Sequence, residues 1–194
     1  MKLLLHVCCA PCSVACLTSL REEDIQPALF WYNPNIHPYG EYSRRRDTLV
    51  QYAKDLGLPL IMEDQYGLRQ FIRVLEKAPL TADEQEPVFS CFDAPFRCAS
   101  CYRLRMEKTA QTAKERGFDA FSTTLFISPY QDNELLKKEA MSAAELYNVA
   151  FFYRDFRSRF KEGQAEARKL GLYMQKYCGC IFSEEENQRF RQKK

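Results

Sequence analysis

The sequence lacks what several function classes need. No apolar run approaches the roughly 18 residues of a membrane-spanning helix, so no membrane span is expected. Neither sign of charge dominates: the formal net charge is +2, and near-neutrality alone makes no case for a nucleic-acid partner. Internal repeats and low-complexity tracts are absent. The turn after the first predicted strand reads CCAPCS and holds no glycine. A loop that cradles phosphates at a helix start needs glycine there, so ATP use is not expected. The opening stretch MKLLLHVCCAPC carries a single Lys and a short apolar run that includes His6. That suits a buried strand better than a secretory leader, and a cytoplasmic location is expected.

What is present is an ordinary globular composition with one outlier. The chain has 194 residues, 46% of them apolar and 28% charged, which suits one domain, 1–194, with a core of useful size. The outlier is cysteine, at nine residues. The number is odd, and a cytoplasmic chain keeps its thiols reduced, so clustered cysteines point to metal binding or catalysis before structural disulfides.

The spacing of apolar residues and breakers alternates strand and helix. Strands are expected at Lys2–Val7, Ala28–Tyr32, Leu58–Met62, Ala120–Phe126 and Val149–Tyr153. Helices are expected at Pro11–Arg21, Glu41–Leu56, Leu68–Lys77, Cys101–Arg116, Asn133–Tyr147 and Glu162–Leu170, with a helical or frayed tail from Glu184. Gly57, Gly117 and Gly171 supply stop signals. Residues 79–97 read as a long irregular loop, dense in proline and acid. The alternation predicts an α/β fold: a parallel sheet of about five strands with helices on both faces. Ligands of such sheets sit beyond the carboxyl ends of the strands. Cys8 and Cys9, the loop 33–40 and the segment 128–133 should therefore meet at one site.

The cysteines fall into groups. Cys8 and Cys9 open a strand-to-helix turn, where a helix amino terminus favours thiolate. Cys98 and Cys101, in RCASCYR, have a two-residue gap that lets both sulfurs reach one metal or cluster. Two such pairs supply four thiolates, which suit an iron–sulfur cluster or a structural zinc; the wide separation of the pairs favours the cluster. Cys178 and Cys180, in YCGC, flank one glycine. A disulfide across so short a loop would be strained and easily reduced, which suits redox cycling; ligation of a second metal is the alternative. Cys12 completes a CxxC with Cys9 and is a reserve ligand, Cys16 reads as core, and Cys91 has no assigned role. CAPC alone would suit a thioredoxin-like reductase, but that leaves Cys8, the second CxxC and YCGC unexplained. His6 reads as packed. His37, Tyr102, Tyr130 and Asp132 are candidate proton donors, and Tyr39, Tyr42 and Tyr130 could stack a base. Three basic runs, Arg44–Arg46, Arg154–Lys161 and the carboxyl-terminal NQRFRQKK, are either solvated faces or phosphate contacts.

The motifs HVCCAPCS, YNPNIHP with EYSRRR, RCASCYRLRM, FSTTLFISPYQ and YCGC, in that order from Leu3 to about Cys180, resemble the QueH-type epoxyqueuosine reductases. The resemblance implies a cobalamin-independent reduction of the epoxide of epoxyqueuosine in tRNA, the last step of queuosine synthesis. It implies an adenine-nucleotide-hydrolase-like (HUP-like) sheet and a 4Fe–4S cluster on Cys8, Cys9, Cys98 and Cys101. Cys178 and Cys180 would be the redox-active pair, and a second iron beside the cluster is kept open. The partners implied are tRNA and an electron donor that the sequence does not name. A non-enzymatic, zinc-bound RNA-binding module is the competing class, and metal analysis separates the two.

Overall fold

The computed structural model describes residues 1–76, 94 and 96–192. Five strands, β1 (Leu3–His6), β2 (Ala28–Trp31), β3 (Leu60–Met62), β4 (Ala120–Thr123) and β5 (Ala150–Phe151), form one sheet in the order β3-β2-β1-β4-β5. Every pairing is parallel. β1 lies in the middle, and Leu3, Leu4 and Leu5 are all buried, because a central parallel strand is covered on both faces.

The helices are α1 (Ala10–Arg21), α2 (Tyr39–Asp55), α3 (Leu68–Glu76), α4 (Phe96–Glu115), α5 (Asn133–Tyr147), α6 (Phe160–Lys169) and α7 (Ile181–Gln192). They pack in two groups, α1 with α2 and α6, and α4 with α5 and α3. Right-handed crossovers from a sheet that grows first one way and then the other produce this division. Local chemistry sets the ends. Pro11 sits in the first turn of α1, where its missing N–H costs nothing. Asp132 caps α5 by accepting from the Leu135 N–H at 3.0 Å. Gly57, Gly117 and Gly171 take positive φ just beyond α2, α4 and α6.

Several boundaries differ from the sequence reading. α4 begins at Phe96, five residues before Cys101, so Cys98 lies in its first turn and residues 96–97 are helical; residues 79–93 and 95 of the expected loop lie outside the described residues. β4 stops at Thr123, whose hydroxyl accepts from the Leu125 N–H and turns the chain into a 3-10 helix over Thr124–Ile127. β5 is two residues long, shorter than the expected Val149–Tyr153, although the Phe152 N–H still donates to the Phe121 carbonyl of β4 at 2.9 Å. α7 starts directly after Cys180 rather than at Glu184.

α6 approaches α1 closely at Gly163. A Cβ there would lie 2.8 Å from the Ala15 Cβ, a contact with no flexible side chain to yield. Gly163→Ala should therefore lose stability despite its better helix propensity. A net loss of about 1 kcal/mol is expected from overpacking costs of ~1–3 kcal/mol less the propensity gain. Urea denaturation of the variant checks it; a gain in stability would mean that the two helices can part without cost.

Candidate metal and redox site

The sheet reverses its direction of growth between β1 and β4, leaving a crevice beyond their carboxyl ends. Cys8 and Cys9 lie just past the end of β1. Cys9 is the N-cap of α1 with extended backbone (φ −172°, ψ 156°), so both sulfurs stand at the positive end of the helix. The Cys8 and Cys9 sulfurs are 3.8 Å apart. With that of Cys12, one turn into α1, they lie within 4.8 Å of one another, all buried. Cys12 accepts a hydrogen bond from the Gln175 amide at 3.2 Å, and Cys8 faces the Thr124 hydroxyl at 3.9 Å.

The three thiols are not equivalent. Cys8 is held well below the usual thiol range, because the thiols of Cys12 and Cys9 stabilise its anion. Burial pushes Cys9 up, and the same sharing with Cys8 pushes Cys12 up. His6 beneath them shares a 2.9 Å hydrogen bond with Thr123 and reaches the Tyr32 carbonyl at 3.2 Å. Burial lowers its pKa to about 4, so the ring is neutral at pH 7. It is packed, as expected.

A second group of sulfurs lines a cleft of about 380 Å³, counting the space open to solvent. Cys98 and Cys101 reach it from the first turns of α4, and Cys178 and Cys180 from the turn before α7. Cys101 and Cys180 are buried and pack against Phe71 and Leu75. Burial raises them to about 11 and about 12. Cys98 is half-buried and also raised by burial. Cys178 is exposed, its thiol donating to the Ser183 hydroxyl at 3.0 Å.

The YCGC turn is held from behind. Arg45, on α2 and almost wholly buried, donates to the Tyr177 carbonyl at 2.9 Å and the Cys178 carbonyl at 3.2 Å. Its Nε donates to Glu41 at 2.7 Å, and Tyr173 donates to the other oxygen of that carboxylate. The His37 N–H donates to the Gly179 carbonyl at 2.8 Å, and the Tyr177 hydroxyl to the His37 carbonyl. Gly179 has φ +110°, and a Cβ there would meet Ile36 at 2.9 Å and Arg45 at 3.2 Å. The residue between the two cysteines must be glycine on both counts.

The described sulfurs outside the core thus lie in two groups. Cys8 and Cys9 join Cys12, whereas Cys98 and Cys101 join Cys178 and Cys180. Arg105 links the groups: it is buried, it lines the cleft, and its charge acts on Cys101, Cys8 and Cys178. All eight described cysteines are unbridged. Cys16 is core, donating to the Cys12 carbonyl, and Cys91 lies outside the described residues.

Of the candidate proton donors, Tyr102 alone lines the cleft, its hydroxyl donating to Gln131 at 2.7 Å. Tyr130 is 84% exposed, and Asp132 is occupied as a cap. His37 is enclosed by Tyr66 and Phe71, and neither ring nitrogen has a hydrogen-bond partner among the described residues. The basic run on α2 is largely engaged: Arg45 is buried, and Arg46 binds Asp47 and Asp64. In the run 154–161, Arg154, Arg157 and Arg159 are ion-paired to Glu23, Asp155 and Glu22, which favours a solvated face. The loop 33–40 and the segment 128–133 reach the cleft through Asn35 and Gln131, as expected, whereas the sequence reading gave Arg105 and Arg45 no role at the sulfur site. The only signal for Arg105 was its position one helical turn after Cys101.

Residues 3–186 match the family model described as Epoxyqueuosine reductase QueH. Relatives bearing that name include one from Dehalococcoides mccartyi, 32% identical over 185 residues, 95% of this chain and 93% of the relative. The Thermotoga maritima relative is 33% identical over 182 residues, covering 93% and 88%. That of Acinetobacter baylyi is 34% identical over 194 residues, covering 98% and 84%. With coverage on this scale and the cysteine motifs assembled at one end of the sheet, the chain belongs to the QueH family of epoxyqueuosine reductases.

Proposed function

We propose that this protein reduces the epoxide of epoxyqueuosine in tRNA to the alkene of queuosine, without cobalamin, using an iron–sulfur centre and the cysteine pair Cys178 and Cys180. The observation that carries this reading is the gathering of seven sulfurs from three separate segments at the strand ends beside the sheet's reversal point. No helix among the described residues is long and apolar enough to cross a membrane, in keeping with a cytoplasmic tRNA enzyme.

The donor set fits the cofactor. Both groups are all-thiol, the soft ligation that iron–sulfur cores take. Cys8, Cys9, Cys98 and Cys101 would hold a 4Fe–4S cluster. Such a centre supplies single electrons at low potential when bound. The remaining chemistry belongs to the chain. Converting the epoxide to an alkene and water takes two electrons and two protons. Oxidation of the Cys178 and Cys180 thiols to a disulfide releases two of each, so one turnover balances, and an external donor must then restore the dithiol. Arg45 holds the turn between these sulfurs through two carbonyls. Gly179 supplies the backbone conformation of that turn, and a bridge across so short a loop should be readily reducible.

A second reading has one observation behind it. Cys98, Cys101, Cys178 and Cys180 share a cleft, so these four could hold the cluster and leave Cys8, Cys9 and Cys12 for a second iron. Single substitutions separate the two. Anaerobically purified protein should carry iron and acid-labile sulfide, and Cys98→Ala should lose the visible chromophore. Stoichiometric zinc in place of iron would instead support the RNA-binding module. Cys9→Ala should also lose the chromophore; retention of the chromophore and of the acid-labile sulfide, with loss of one iron, would favour the second ligand set.

Cys180→Ser should keep the cluster and bind the substrate tRNA, yet fail to sustain turnover. Loss of its cluster would make Cys180 a ligand, normal steady-state turnover would make it dispensable, and loss of one iron alone would assign it to a second metal.

A further inference from the structure

Three arginines among the described residues are buried: Arg45, Arg97 and Arg105. Two have carboxylate partners. Arg45 pairs with Glu41 at 2.7 Å and Arg97 with Glu186 at 2.8 Å. Arg105 has none among the described residues. Its Nε donates to the Cys101 carbonyl one turn back on α4, at 3.1 Å, and the guanidinium lies 5.8 Å from the Tyr102 ring centroid. Neither contact neutralises a charge. A guanidinium stays protonated in a protein, and a cation so enclosed is costly unless an anion faces it. Besides the Tyr102 hydroxyl, the ionisable groups whose anions its charge would meet are sulfurs: Cys101, Cys8 and Cys178. Those three come from the three segments that build the site.

We propose that Arg105 is the counter-ion of the sulfur site, a positioning residue whose fixed positive charge offsets the thiolates of both cysteine groups and raises the reduction potential of the centre they hold. This rests on the function proposed above. Four thiolates bring more negative charge than an iron–sulfur core carries positive, and each added electron deepens the excess. A buried cation nearby stabilises the reduced state more than the oxidised one, and it does so strongly because little water intervenes. Potentials of such centres follow net charge, hydrogen bonding to sulfur and solvent exposure. Arg105 supplies the first of these from a position that serves both groups. Arg45 does not duplicate it, since its charge is already met by Glu41 and its terminal nitrogens are spent on the carbonyls of Tyr177 and Cys178.

The test is an anaerobic redox titration of the loaded protein, followed through its visible absorption, for wild type, Arg105→Gln and Arg105→Lys. Arg105→Gln should shift the midpoint to more negative potential with iron and sulfide content unchanged. Arg105→Lys, which keeps the charge but not the fork, should stay close to wild type. An unshifted Arg105→Gln would overturn the proposal, as would a lysine variant shifted as far as the glutamine one. If the glutamine variant does not fold, the lysine variant decides alone: a midpoint held near wild type supports the counter-ion, and a large shift sinks it. An unchanged midpoint with a raised KM for the tRNA substrate would place Arg105 against substrate instead. Wild-type protein without iron and sulfide would sink the functional reading itself, whereas a loaded wild type with an indifferent Arg105→Gln sinks only the role of Arg105.

Discussion

At the middle of the sheet β1 pairs with β4 on one side and β2 on the other, and the chain leaves β1 and β4 in opposite directions. The crossover helices therefore diverge, and neither layer covers the strand ends there. Everything chemical in the molecule is arranged around that opening. The pairing sets His6 opposite Thr123, and a 2.9 Å hydrogen bond between their side chains joins the two strand ends. Cys8 follows on one side and Thr124 on the other, close enough to face each other. Had β4 run on to Phe126, as its apolar sequence suggests, it would have occupied the space beyond β1. The Thr123 hydroxyl turns the chain aside first.

The second cysteine group reaches the opening by a different device. α4 and the YCGC turn both arrive from outside the sheet, and their sulfurs depend on polar anchors more than on strand register. Arg45 and Glu41 form a buried ion pair that would contribute little to stability by itself, given the desolvation of both partners. Its use is geometric. The guanidinium fork fixes two successive carbonyls, the Gly179 carbonyl receives the His37 N–H, and the turn is pinned at three consecutive residues. The loop after β2 thus serves the cysteines without contributing a sulfur.

Much of the fold was legible because its signals are local. Short apolar runs marked β1, ending before Cys8, and β2, between Pro27 and the Asn- and Pro-rich loop, and Leu49, Tyr52 and Ala53 marked the buried face of α2. The sulfur pairs were legible for the same reason: CC, CxxC and CGC are short-range patterns. Which pair faces which was not, because that depends on contacts between residues far apart in the chain. Spacing alone left Cys12 a reserve ligand, while the turn into α1 puts it beside Cys8 and Cys9. Arg105 was illegible for a sharper reason. In RCASCYRLRM it is one of three arginines on α4, and nothing local distinguishes it from Arg103, which reaches outward to Glu139.

The two sulfurs of the YCGC turn differ in a way that bears on their chemistry. Cys180 packs into apolar surroundings that hold its thiol protonated, at about 12, whereas Cys178 stands at the surface with a hydroxyl partner. Thiol–disulfide exchange needs an accessible sulfur to attack and a thiolate to leave or arrive. Cys178 is open to solvent and Cys180 is buried, so a thiol reagent in solution meets Cys178 first. The buried partner faces the cleft with Cys101, on the side where the other sulfurs lie. Both sulfurs line that cleft, so one glycine joins a sulfur open to solvent to a buried sulfur beside Cys101, and a larger residue at position 179 would crowd Ile36 and Arg45.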